Sequence, residues 1–199
     1  INMWKKILLG ITIAICIAAG GYWFTYLKEI KTPISSGINA IPLDAALIFE
    51  SKQSPLAWNK FASGNMWQEL IGTTTGNKLN LQVQYIDSLL KTTPSVAKLL
   101  MNQSVFISAH HSGVNSFDFL FVYSLPNLSY QSTVTGFLKT VNNNKNPFTR
   151  SYDDVDINII HPKNKDSLSF AFLQGILMMS SNQTLVEDAI RQLKSGVSF

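Results

Sequence analysis

Ile7 to Leu27, ILLGITIAICIAAGGYWFTYL, runs for twenty-one residues without a charged side chain. No other property of the chain restricts it so strongly. As a helix rising about 1.5 Å per residue, the segment covers about 30 Å, the hydrocarbon thickness of a bilayer. The predicted element is a transmembrane helix over 7–27. Leu8, Leu9, Ile11, Ile13, Ile15 and Ile17 fill its first two thirds, and Tyr22, Trp23 and Tyr26 gather at one end, where amphipathic rings prefer the headgroup level. Trp4, Lys5 and Lys6 mark the other end.

A cleaved signal peptide is the rival reading, because Lys5 and Lys6 make a basic start and Ala18, Ala19 and Gly20 are small. Its apolar stretch is typically about 7 to 15 residues, and here the run continues past the small residues to Leu27. The lone cysteine, Cys16, follows Ile15, where a lipid-attachment motif places a small residue. A retained anchor is therefore expected. With Lys5 and Lys6 on its short side, residues 1–6 are expected in the cytoplasm and residues 28–199 outside it. Gly10, Ala14, Ala18 and Gly21 recur at helical spacing, so one side of the helix is smooth enough for a second helix to approach.

Apart from Lys5 and Lys6 the chain carries a net charge of about +2. The pI of about 9.1 is thus no nucleic-acid signature, since a phosphate-tracking groove needs several cations on one face. With no cysteine after Cys16 there is neither a disulfide framework nor a cysteine zinc site in the domain. Asn102, Asn127 and Asn182 begin formal glycosylation sequons, which an Asn-rich chain generates by chance.

Residues 28–40, with Pro33 and Ser35-Ser36-Gly37, read as a polar linker. The domain is expected over 41–199, continuing past Phe199, because the chain stops on apolar residues. Ala45–Glu50 reads as a strand, and Ser54-Pro55 starts a helix that is interrupted near Gly64 and resumes at Met66 until Gly72. Leu79 to Leu90 matches the helical period better than the strand period, and Thr93-Pro94 opens a further helix. From Ser104 the period becomes two, giving strands on either side of a loop from His110 to Ser116. Val134 to Val141 is an amphipathic helix. Strands are expected at Phe148–Tyr152, Val155–His161, Leu168–Leu173 and Ile176–Ser180, with turns at Asp153-Asp154, Lys163–Asp166 and Gln174-Gly175. A last helix starts at Thr184, which with Glu187 has the spacing of a capping box. The fold class is α+β: a transmembrane helix, then an antiparallel meander-like sheet with helices on one face.

No residue set stands out as chemistry. His110 and His111 are adjacent, so on a strand they point to opposite faces and share no metal ion. Asp153, Asp154 and Asp156 lack the order of a calcium loop and read as a turn. G-x-S-x-G is absent, and Gly72 to Gly76 lacks the lysine of a phosphate loop. Glu50, Glu69, Asp87 and Asp118 would make an acid/base pair only by converging in space. Trp58, Phe61 and Trp67 could form a binding surface, but on an amphipathic helix they are expected in the core. No cofactor or metal is implied.

The run Ile41-Pro42-Leu43-Asp44-Ala45-Ala46-Leu47-Ile48-Phe49-Glu50, with Trp58 and Met66-Trp67-Gln68-Glu69-Leu70, resembles an uncharacterised family of single-span envelope proteins of Gram-negative bacteria. Val105 to His110, Phe117 to Pro126 and Leu185 to Ile190 add to it, so the likeness covers Ile41 to Leu193. It implies an anchored periplasmic domain in a longer protein and transfers no catalytic residue. The expected role is a non-enzymatic accessory of an inner-membrane complex for export or envelope assembly, meeting inner-membrane proteins through the helix and periplasmic proteins through the domain. A periplasmic holdase and an enzyme with an unconventional site are the alternatives.

Overall fold

Two meanders that enter from opposite edges and meet in the middle build the sheet. A computed structural model describes residues 15, 17–22, 35–51, 62–101, 103–113, 116–162 and 166–197. They belong to two units, 1–33 and 34–199. In the first, Ile15 and residues 17–22 are helical. Among the described residues no helix is long and apolar enough to cross a membrane, and most of the expected span lies outside them, as do Ser54-Pro55, Trp58 and Phe61.

In the second unit a 3-10 turn, Gly37–Ala40, precedes β1, Leu47–Ser51. Among the described residues there follow α1, Asn65–Ile71; α2, Thr74–Thr92; and α3, Pro94–Met101. Then come β2, Val105–Gly113; β3, Ser116–Ser124; and α4, Tyr130–Val141. The chain ends with β4, Phe148–Tyr152; β5, Val155–Ile160; β6, Leu168–Leu173; β7, Ile176–Ser180; and α5, Gln183–Ser195. Among the described residues the strands form one antiparallel sheet in the order β1-β2-β3-β7-β6-β5-β4. The first meander supplies β1 to β3. After α4 the chain restarts at the far edge, and the second meander returns inward until β7 pairs with β3.

The hairpins of the second meander need backbone that turns tightly with the twist of the strands. Asp153 and Asp154 have φ of 47° and 57°, and Gln174 and Gly175 have 50° and 77°. Asp and Gly tolerate the left-handed region. The acidic run is therefore a turn, with Asp156 exposed on β5.

Helices cover both faces of the sheet, not one. Val105, Phe119, Phe121, Tyr123, Phe170, Leu177 and Met179 pack with Trp67, Leu79, Val96, Val134 and Leu138 from α1 to α4. On the opposite face Phe106, Leu120, Val122, Ile157, Ala171, Ile176 and Met178 pack with Leu185, Val186, Ala189, Ile190 and Leu193 of α5. Two-sided burial follows from the central strands. Phe119 to Tyr123 is an unbroken apolar run in β3, so both faces must leave water.

Three further local expectations change. The β2–β3 ladder runs through His110, opposite Asp118, and His111, opposite Phe117, to Gly113, so the histidines are strand residues and not a loop. The capping box at Thr184 does not form: Asn182 caps α5, its side chain accepting from the Thr184 N–H at 3.0 Å. Glu187 instead holds Arg150 of β4 and Gln183. Finally, part of the stretch that its composition marks as a tether packs on the sheet, with Gly37 and Ala40 buried.

Candidate functional site

A buried cluster of polar side chains sits on the α5 face of the sheet, towards the end of β2 and the start of β3. Residues two apart on a strand share a face, so Ser108 and His110 stand side by side on β2. Turn 41–46 reaches this point because Ala45 N–H donates to Pro42 O at 3.1 Å and Ala46 N–H donates to Ala109 O at 2.9 Å. That carries Asp44 to the outer nitrogen of the imidazole.

The resulting chain has the bonding order of a serine nucleophile site. His110 Nδ1 lies 3.0 Å from Asp44 Oδ1, and Ser108 Oγ lies 2.9 Å from His110 Nε2. A carboxylate only accepts, so Nδ1 donates to Asp44; in the neutral imidazole Nε2 then accepts and the Ser108 hydroxyl donates.

Access runs the wrong way for catalysis. Ser108 is 0% and His110 is 1% exposed, whereas the Asp44 side chain is 73% exposed. A nucleophile has to be reached by its electrophile, and here the carboxylate faces water while the hydroxyl lies between Ile48 and Leu120 in the register. The arrangement is inside out. Its effect is to satisfy two buried polar side chains and to fasten turn 41–46 to β2.

A second polar group adjoins it. Asp118, opposite His110 in the ladder, accepts from Asn182 Nδ2 at 2.8 Å. The Asn182 N–H donates to Ser180 Oγ at 3.0 Å, and the Ser180 hydroxyl donates to Phe119 O at 2.8 Å. The α5 cap is thereby tied to the middle of the sheet.

Beside Asp44 an open cleft of about 390 Å³ is lined by Pro42, Leu43, Asp44, Asp188, Arg191, Gln192 and Ser195. The Arg191 guanidinium pairs with Asp188, and that carboxylate pushes the arginine's pKa further up. The charges lining the cleft are thus already engaged with one another or with His110.

Other expected site residues do not assemble. His111 is exposed with its ring 4.3 Å from that of Phe117, on the face away from His110. Among the described residues no three His, Cys, Asp or Glu side chains are placed to hold a metal ion. Glu50 stands opposite Phe106, Asp118 opposite His110, and Asp87 pairs with Lys91 at 2.7 Å on α2. Trp67 is buried in the core. Of the small residues in the expected span, Ala18 and Gly21 are described, exposed and helical, and beyond its chain neighbours and its own helix backbone no described atom lies within 4 Å of the Cβ position of Gly21. Gly10 and Ala14 lie outside the described residues.

Sequence reasoning missed Asp44 and Ser108. The signal available was a polar pair, Ser108 and His110, at strand spacing on one face of an otherwise apolar strand, which demands a buried partner. Comparison of the chain with protein-family models, with curated proteins and with solved structures finds no match.

Proposed function

We propose that this is a non-enzymatic accessory protein, anchored in the inner membrane by residues 7–27, whose α+β domain faces the periplasm and binds other proteins of an envelope complex. The observation that carries the reading is the uncharged twenty-one-residue segment, which has the length of a membrane span and aromatic residues at its far end. The inverted access of the Ser108–His110–Asp44 chain supports a role without covalent chemistry. So does the open cleft beside Asp44, whose internally paired charges suit a polar protein contact better than the enclosure of a small molecule. In the span, Gly10, Ala14, Ala18 and Gly21 form the side that receives a partner helix.

Two measurements test this. Protease added to intact spheroplasts should degrade the domain; survival until the inner membrane is lysed overturns the placement. Replacing Ala14 and Ala18 together with leucine should keep membrane insertion and lose co-purifying inner-membrane proteins, while leucine at Ile13 and Ile17 keeps them. Equal recovery from both double variants removes the helix as an interaction surface.

A further inference from the structure

Residues 35–46 open the domain and lie on the α5 face of the sheet without joining it as a strand. Their ties to the sheet sit at the two ends. Ser35 N–H donates to Gln174 O at 3.2 Å, and the Ser35 hydroxyl donates to Gln174 Oε1 at 2.6 Å, both at the β6–β7 turn. At the other end Ala46 N–H donates to Ala109 O and Asp44 accepts from His110. Between these points the hydrogen bonds stay inside the segment: Asn39 N–H to Ser36 O, Ile41 N–H to Ile38 O and Ala45 N–H to Pro42 O. The middle is held by burial. Ala40 and Ile41 are 0% exposed and belong to the same core as Phe106 and Val122. A Cβ on Gly37 would stand 2.8 Å from the Phe106 ring, so the segment fits there only because residue 37 has no side chain.

We infer that residues 35–46 are a releasable strap, which leaves the sheet as one unit while the strands and α5 stay folded, and so uncovers the Phe106 end of the core beneath α5. The division of hydrogen bonds is the reason. A segment whose middle bonds are internal gives up few of them on leaving, and the ladder beneath keeps all of its own, so opening here costs chiefly the burial of Ala40 and Ile41 and the bonds at the two ends. The inference does not depend on the proposed anchor or on its partners.

Hydrogen exchange followed by mass spectrometry on the full chain in mild detergent tests it, with Gly37→Ala and Asp44→Ala placed at opposite ends of the strap. Each variant should speed exchange at Asn39, Ile41, Ala45 and Ala46 together, by tenfold or more, with Leu120, Val122 and Met178 unchanged. Should either variant fail to fold, Ser35→Ala, which removes the exposed bond to the Gln174 side chain, should give the same pattern. Faster exchange confined to the altered end, an equal rise in strap and sheet, or no rise in any variant overturns the proposal.

Discussion

The two faces of the sheet are built on different terms. The face under α1 to α4 is filled with large rings, Trp67, Phe119, Phe121, Tyr123 and Phe170. The face under α5 is filled, apart from Phe106, with aliphatic side chains and methionine, and it carries buried Ser108, His110, Asp118, Ser169 and Ser180. Ser51, beside Val105 in the ladder, is the buried polar strand residue on the first face. Apolar burial stabilises in proportion to the area removed from water and is non-directional. Hydrogen-bonded groups tolerate one geometry and are costly when it fails. The polar groups lie where α5 and strap 35–46 must be placed, so the difference between the faces is one between bulk stabilisation and positioning.

That contrast can be broken at four points, which differ in expected size. Phe121→Ala, which opens a cavity on the aromatic face, should cost about 3–5 kcal/mol in urea unfolding. A loss under 1 kcal/mol would mean that this face is not the main store of stability.

Tyr123 should give the next largest effect, at high pH. Burial pushes its phenol up to about 12. The folded state then holds a proton that the unfolded chain loses near pH 10. Its contribution is complete below pH 10 and falls by about 1.4 kcal/mol per unit as pH rises towards 12. Tyr123→Phe should flatten the alkaline limb of the stability curve by that slope, as read from denaturant midpoints between pH 9 and 12. Parallel curves for the two proteins would show that the phenol is not desolvated.

Ser108→Ala and His110→Leu should each cost about 1–3 kcal/mol, because each leaves a buried group without its partner. The double variant should lose less than the sum, since both ends of that bond are then gone. Additive losses would separate the two residues. The smallest effect concerns the end of α5: Asn182→Ala should cost about 1 kcal/mol as a lost helix cap, with Thr184→Ala near zero. The reverse order would restore Thr184 as the cap.

Much of the sheet was legible because its signals are local. Asp153-Asp154 and Gln174-Gly175 sit between alternating segments, and the turn backbone they favour also sets strand register. The helix over Thr74–Thr92 followed from periodicity, although its first turn, with Thr74 and Gly76, carries no apolar signal. The two-sided burial was legible as well, in Phe119 to Tyr123, but alternation on the neighbouring strands pointed to a sheet with one wet face. Asp44 and His110 lie 66 residues apart in sequence, and only the fold brings them together. Asn182 escaped notice as a cap because Thr184 and Glu187 offered a better-known pattern two residues later. In the structure Arg150, from an edge strand, takes the Glu187 that the capping box required. Long-range pairing overrode a local motif in both places.

The Ser108–His110–Asp44 chain is a fastening and not a nucleophile. Incubation of the folded protein with a fluorophosphonate probe, followed by peptide mass analysis, tests this most directly. No adduct at Ser108 is expected, since its hydroxyl is buried and committed to His110. Stoichiometric labelling of Ser108 that is lost in His110→Leu would contradict the account and make the chain an active site.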